Sequence, residues 1–315
     1  VISDSTAVFV SLLVLVGGYV FRWRWVGVRE PANAGASEDK SAPKTLWAWV
    51  QLLIIPAAIA TGTTWFSQRL QDQSNQANAD QARETVLNTY IGAMSDLLLA
   101  AGRPLHIPAG RSVARARTLE ALQSLDGVRK GQLLGFLYEA SLISVPTPLV
   151  DLQGASLVDA SLHQASLKDA SLIRVDLEGA DLSLAQLTGA DLDTANIACD
   201  EQGRCADLAG AVMGGARLVD THLDHANMTS ANLSNATLLL TDFNGANLSN
   251  AELTGANLTG AFLSGANLSG ATLGCDQQGN CTNLRDVRGM TTADLEKSGA
   301  QLAKGVTLPD GTVYK

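Results

Sequence analysis

Aromatic residues are scarce: six Phe, four Tyr and five Trp make up 5% of the 315 residues. A chain this poor in large rings does not build a conventional mixed core. Alanine, leucine, glycine, aspartate and asparagine in a regular order point instead to a repetitive coil. Histidine is limited to His106, His163, His222 and His225. No glycine-rich phosphate loop, no H-E-x-x-H pair and no nucleophile elbow occurs. The trio His222, Asp224 and His225 reads as solvated surface rather than a metal site. The chain therefore reads as a non-enzyme with no catalytic residue, no metal and no cofactor. Cations are also few late in the chain. Residues 141–315 hold nine basic and twenty acidic residues, a net of −11. Such a surface repels phosphate backbones, so no nucleic-acid partner is expected.

Two runs carry no charge: Thr6 to Phe21 and Leu46 to Phe66. Each is near the length that spans about 30 Å of hydrocarbon as a helix. Trp47, Trp49 and Trp65 lie near the ends of the second, where interfacial aromatics sit, and Pro56 marks a kink. The expectation is two transmembrane helices, at 1–26 and 46–66, joined by a polar linker at 27–45. Arg22, Arg24, Arg29, Lys40 and Lys44 place that linker on the cytoplasmic side. The chain is then integral to a bacterial inner or thylakoid membrane. Its C-terminal part faces the periplasm or lumen, with the cytoplasmic side as the alternative.

Residues 67–148 read as a helical neck and N-terminal cap. Val86, Leu87, Tyr90, Ile91, Met94, Leu97 and Leu98 recur at helical spacing. Further helices are expected over residues 112–125 and 127–138, the latter capped by Asp126. Arg111, Arg115 and Arg117 cluster; a solvated face and a contact to anionic lipid headgroups are both open readings.

From Val150 the chain repeats every five residues. Leucine recurs at 152, 157, 162, 167, 172, 177, 182, 187 and 192, with Ala or Val two residues before each. After a break the pattern resumes at Leu208 and runs to Leu273. Neither a helix nor a strand keeps a period of five on one face. A chain that turns a corner every five residues does: leucine and the small residue point inward, the other three outward. Four units close a square coil, and coils stack at about 4.8 Å. This A-(D/N)-L-x-x order resembles the pentapeptide-repeat family. The resemblance implies an all-β right-handed quadrilateral β-helix over 149–289, preceded by the two membrane helices and the small α-helical neck. The arrangement as a whole resembles membrane-anchored members common in cyanobacteria. Residues 290–315 read as a C-terminal cap, with Thr291 or Thr292 starting a short helix.

The repeat breaks at Cys199–Cys205 and again at Cys275–Cys281, each break with a glycine in its turn. Local disulfides and unpaired thiols on a bulge are both open. Val219, Leu239, Leu240 and Phe262 put apolar groups in outward slots and form a candidate protein interface. The expected function is a non-catalytic, membrane-tethered scaffold or protein-binding module, an accessory or assembly subunit of a membrane complex. Its partners would be a photosynthetic or transport complex and membrane lipid. The alternative is an acidic DNA mimic that inhibits or regulates a DNA-handling enzyme.

Overall fold

The computed structural model describes residues 55–100, 104–200 and 202–315. The chain divides into two compact units, residues 1–69 and 70–315. Helix α1 (Ile55–Leu99) begins in the first. There Trp65 and Phe66 are exposed and the Arg69 guanidinium lies 5.5 Å from the Trp65 ring.

Among the described residues no helix is long and apolar enough to cross a membrane. This corrects the expected pair of transmembrane helices, and with it the integral-membrane localisation. The physical reason lies in α1. Its apolar character ends at Phe66, after which Gln68, Arg69, Gln71, Asp72 and Gln73 follow. From there on α1 is too polar to lie in hydrocarbon. The first run, Thr6 to Phe21, the linker at 27–45 and the start of the second run lie outside the described residues.

In the second unit α1 continues and buries Leu87, Tyr90 and Met94. Tyr90 shares a 2.7 Å hydroxyl contact with the buried Thr118, and burial pushes its phenol up to about 12 despite that bond. Thr118 belongs to α2 (Pro108–Ser124), which starts four residues before the expected position because Pro108 suits a first helical turn. Helix α3 (Gly127–Glu139) follows, capped by the Asp126 carboxylate accepting from the Arg129 amide at 3.0 Å.

From Val150 the backbone forms stacked coils of four short sides. Along the stack inward leucines donate their amides to the next coil, as Leu157 does to the Asp176 carbonyl at 2.7 Å. The Asp176 amide returns a bond to the Ala155 carbonyl at 2.9 Å. Through the body of the stack paired positions fall twenty residues apart, except across the two cysteine loops. There Asp181 pairs with Asp207 and Asn257 with Asn283. Each loop is thus six extra residues that leave the register intact. One column runs Leu152, Leu172, Leu192, Leu218, Leu238, Leu258, Leu284 and Leu308, all buried. Eight levels give a stack roughly 34 Å tall. Thr221, Thr241 and Thr282 replace alanine at inward positions. Their buried hydroxyls donate to the Leu192, Leu218 and Leu253 carbonyls at 2.9, 2.6 and 2.7 Å. No polar group is left stranded at those three sites.

Both ends of the stack are covered. At the start, α3 lies against the first coil with glycines on its contact face. A side chain at Gly127 or Gly131 would collide with the Asp159 or Ser161 carbonyl. The Ser161 amide donates to the Gly127 carbonyl at 2.9 Å. At the far end, β1 (Thr272–Leu273) pairs in parallel with β2 (Gln301–Leu302). Between them α4 (Thr292–Lys297) is held by a capping box of Thr291 and Asp294. The last residues fold back, with the Tyr314 amide donating to the Val306 carbonyl at 2.8 Å.

Candidate functional site

Nothing in the solenoid interior is open to a ligand. The inward leucines and alanines of its middle coils are 0–1% exposed. The chemistry-bearing side chains all lie outside, on the four faces and corners. The fifth residue of each unit turns the corner in the left-handed region, from Asp159 and Gln164 to Asn250 and Gly270. Glycine and asparagine suit that conformation; leucine does not.

The two cysteine loops share one internal plan. Cys199 is bonded to Cys205, and Cys275 to Cys281. In each loop the aspartate after the first cysteine organises the turn. Asp200 Oδ1 accepts from the Gln202 and Arg204 amides at 2.9 and 2.7 Å. Asp276 Oδ1 accepts from the Gln278 and Asn280 amides at 2.9 and 2.8 Å. Each loop folds back over a glycine corner. A side chain at Gly179 would meet the Arg204 carbonyl at 3.3 Å, and one at Gly255 the Asn280 carbonyl at 3.2 Å. They differ in what pins them. Arg204 bridges Asp200 and Asp159, tying the first loop to an earlier coil. In the second, Asn280 donates to Asp276 at 2.7 Å, and that bond leads the causes holding the Asp276 carboxyl below its usual range. The second disulfide also touches the C-terminal cap. A side chain at Gly305 would lie 2.8 and 2.9 Å from the two sulfurs.

Of the outward apolar residues, Val219 and Leu239 are half-buried neighbours in one column, with the Asp220 amide bonded to the Leu239 carbonyl at 2.9 Å. Leu240 is 47% exposed at the corner beside them. Phe262 is not part of that patch's open surface. It is half-buried, and the Arg288 guanidinium from the next coil lies 5.0 Å from its ring centre.

The arginine cluster is largely spent inside the unit. Arg111 Nε donates to the Leu105 carbonyl at 3.0 Å. Arg115 donates to the Gln153 carbonyl at 2.6 Å and pairs with Asp151 at 3.3 Å. Arg117 is exposed. The expected lipid contact is corrected on these grounds and on the lack of a spanning helix among the described residues. The membrane tether and the membrane-complex partner go with it. His163 Nδ1 lies 2.7 Å from Ser183 Oγ, and His225 packs over Gly245. Among the described residues no group of three His, Cys, Asp or Glu side chains could hold a metal.

Several positioning residues carry no local signal in the chain. Lys130 is one: its Nζ donates to the Val158 carbonyl at 2.9 Å, and burial pulls its ammonium below the ordinary value. The glycine face of α3 is another, although its spacing of four residues is visible once sought. An open groove of about 370 Å³ flanks that helix, lined by Val128, Gly131, Gly135, His163, Ala165 and Ser166 among others.

A family model described as pentapeptide repeats matches residues 149–183, 160–197, 204–238 and 240–274. No curated protein matches the chain. Among solved structures, one similar chain is HetL, a pentapeptide repeat protein involved in heterocyst differentiation regulation from the cyanobacterium Nostoc sp. strain PCC 7120. It is 29% identical over 53% of this chain and 68% of its own, with a TM-score of 0.32. A pentapeptide repeat protein of the Arabidopsis thaliana thylakoid lumen is 29% identical over 44% of this chain and 83% of its own, TM-score 0.26. QnrB1, a plasmid-mediated fluoroquinolone resistance protein, is 16% identical over 48% of this chain and 100% of its own, TM-score 0.26. TM-scores this low carry no functional weight, and none of these matches bears on a membrane anchor. None of the three is described by a catalytic activity.

Proposed function

We propose that this pentapeptide-repeat protein is a non-catalytic scaffold that binds a protein partner on the outside of its solenoid. The observation that carries it is the filled interior: leucine and alanine ladders occupy the space a substrate would need, so recognition is left to the outer faces. A stack of coils joined at every level is rigid, and a rigid regular surface loses little entropy on binding. The test is reciprocal affinity capture with the full chain. A partner that is lost when one outward face is substituted, while the far-UV spectrum is kept, supports the scaffold. If no outward substitution on any face changes what is captured, the scaffold reading fails.

A second reading keeps the protein partner but makes it a DNA-handling enzyme, with the solenoid as an acidic duplex mimic. The observation favouring it is the −11 net charge of residues 141–315. Against its full weight, Arg204 and Arg217 already neutralise Asp159, Asp200, Asp191 and Asp193 in part. Competition between this chain and duplex DNA for a type II topoisomerase tests it. Binding of enzyme to DNA that is unaffected by excess chain removes the mimic reading.

A further inference from the structure

The outward leucine at 240 is costly twice over. Its backbone has φ 58°, a region that disfavours a branched side chain, and its side chain is 47% exposed. Glycine fills the same corner position at 245, 255, 260, 265 and 270. The left-handed corner recurs in unit after unit, so it is the exposed leucine there, and not the backbone, that sets this position apart. Leu184 is a matched counterpart, with φ 58° and 46% exposure. Both leucines lean over a glycine one coil on, Leu184 over Gly210 and Leu240 over Gly260. Their surroundings differ. Leu184 has Ser183 and Ala209 beside it. Leu240 adjoins Leu239, with Val219 stacked one coil away.

The rim of this patch is acidic. Asp220 occupies the same corner one coil earlier, and Asp224 and Asp242 lie on the adjoining face. None of the three joins an ion pair among the described residues. Arg217, on the same face as Val219, is committed to Asp191 and Asp193, and Arg288, two coils beyond Asp242, lies over the Phe262 ring.

We infer that the Val219–Leu239–Leu240 patch docks a cationic amphipathic helix of a protein partner. The inference rests on the protein-binding reading above. An apolar centre with unpaired carboxylates around it is complementary to leucines flanked by lysine or arginine. The spacing fits as well. Apolar side chains on a helix face recur every 5–6 Å or so, close to the coil rise of about 4.8 Å. A second copy of this chain is disfavoured, because it would bring carboxylates against carboxylates.

The test uses the full chain and a synthetic lysine–leucine amphipathic peptide, with a glutamate–leucine peptide as control, read by calorimetry. The lysine peptide should bind and the glutamate peptide should not. Leu240→Ala should weaken binding by about tenfold, as truncation of a central contact does. Asp220→Asn with Asp242→Asn should weaken it and reduce its salt dependence. Leu184→Ala, which carries the same local conformation, should leave affinity unchanged. Circular dichroism confirms that each variant is folded. Equal effects of Leu184→Ala and Leu240→Ala, or no effect of either, would overturn the docking site, as would equal binding of the two peptides. The two levels separate cleanly: if Leu240→Ala still captures the partner in the reciprocal experiment, the scaffold stands and only this site falls.

Discussion

Adding one methyl to α3 should have opposite effects four residues apart. Gly131 and Gly135 are both interior to the helix, where Gly→Ala ordinarily stabilises by about 1 kcal/mol through the backbone entropy of the unfolded chain. At Gly135 nothing lies within 4 Å of the added carbon, so Gly135→Ala should gain about 0.5–1 kcal/mol. At Gly131 the methyl would overlap the Ser161 carbonyl oxygen. That oxygen is backbone and cannot swing away. Its neighbours are held by the Ser161 amide bond to Gly127 at 2.9 Å and the Leu162 amide bond to Asp181 at 2.7 Å. The helix must lift instead, which loosens the packing of Leu133, Leu134 and Leu137, all fully buried. Overpacking of this kind costs about 1–3 kcal/mol, and the strained Ser161 amide bond about 1 kcal/mol more. Net of the propensity gain, Gly131→Ala should lose about 2 kcal/mol. Urea titration followed by circular dichroism gives the difference between the variants, in which the unfolded-state term cancels. Hydrogen exchange at the Ser161 amide gives the location: protection should fall in Gly131→Ala and hold in Gly135→Ala. If both variants raise the midpoint and Ser161 stays protected, α3 does not lie on the first coil.

Four other outcomes are expected. Leu233→Asp places a carboxylate in a dry ladder and should cost several kcal/mol, whereas Asn232→Asp keeps the acceptor for the Ser234 amide and should cost little; comparable melting losses would show the inward register to be wrong. Asp276 is held below the usual carboxylate range, so the order it lends its loop is present at neutral pH and is lost as pH falls through its lowered value. Exchange protection of residues 275–281 should therefore drop in acid, and Asp276→Ala should abolish that pH dependence by removing the acceptor at every pH. Removing either disulfide by paired Cys→Ser substitution should cost about 2 kcal/mol from loop entropy, but only loss of Cys275–Cys281 should also raise exchange at Gly305, because only that bond packs against the cap. Deleting residues 290–315 bares the backbone edge that Gln301, Leu302 and Thr307 cover, and should promote association seen by size-exclusion chromatography with light scattering; a monodisperse truncated chain would speak against a capping role.

The amino-acid sequence by itself determines the solenoid's register. A leucine every five residues with a small residue two before it admits one side-chain direction per position, because the corner is a local backbone event repeated at each unit. The break at each cysteine pair is legible for the same reason, as is Asp126 before α3 or Thr291 before α4. Tertiary structure decides whatever depends on residues a coil or more apart. The uncharged run at Leu46 reads locally as a spanning helix. Its described part runs on without a break into a long helix that is polar after Phe66, and among the described residues no helix is apolar enough over a long enough stretch to span. The Arg111–Arg117 cluster looks like a free basic patch, yet Arg115 reaches Gln153 and Asp151, thirty-eight and thirty-six residues on. Phe262 looks like an exposed ring until Arg288 of the next coil covers it. Arg204 and Asn280 occupy equivalent places in twin loops, and only the stacking of coils gives Arg204 an Asp159 to hold. Period and polarity act over five residues and survive in a linear chain. Ion pairs, cation–ring contacts and glycine approaches are set by which coil lies above which, and that exists only once the coils have stacked.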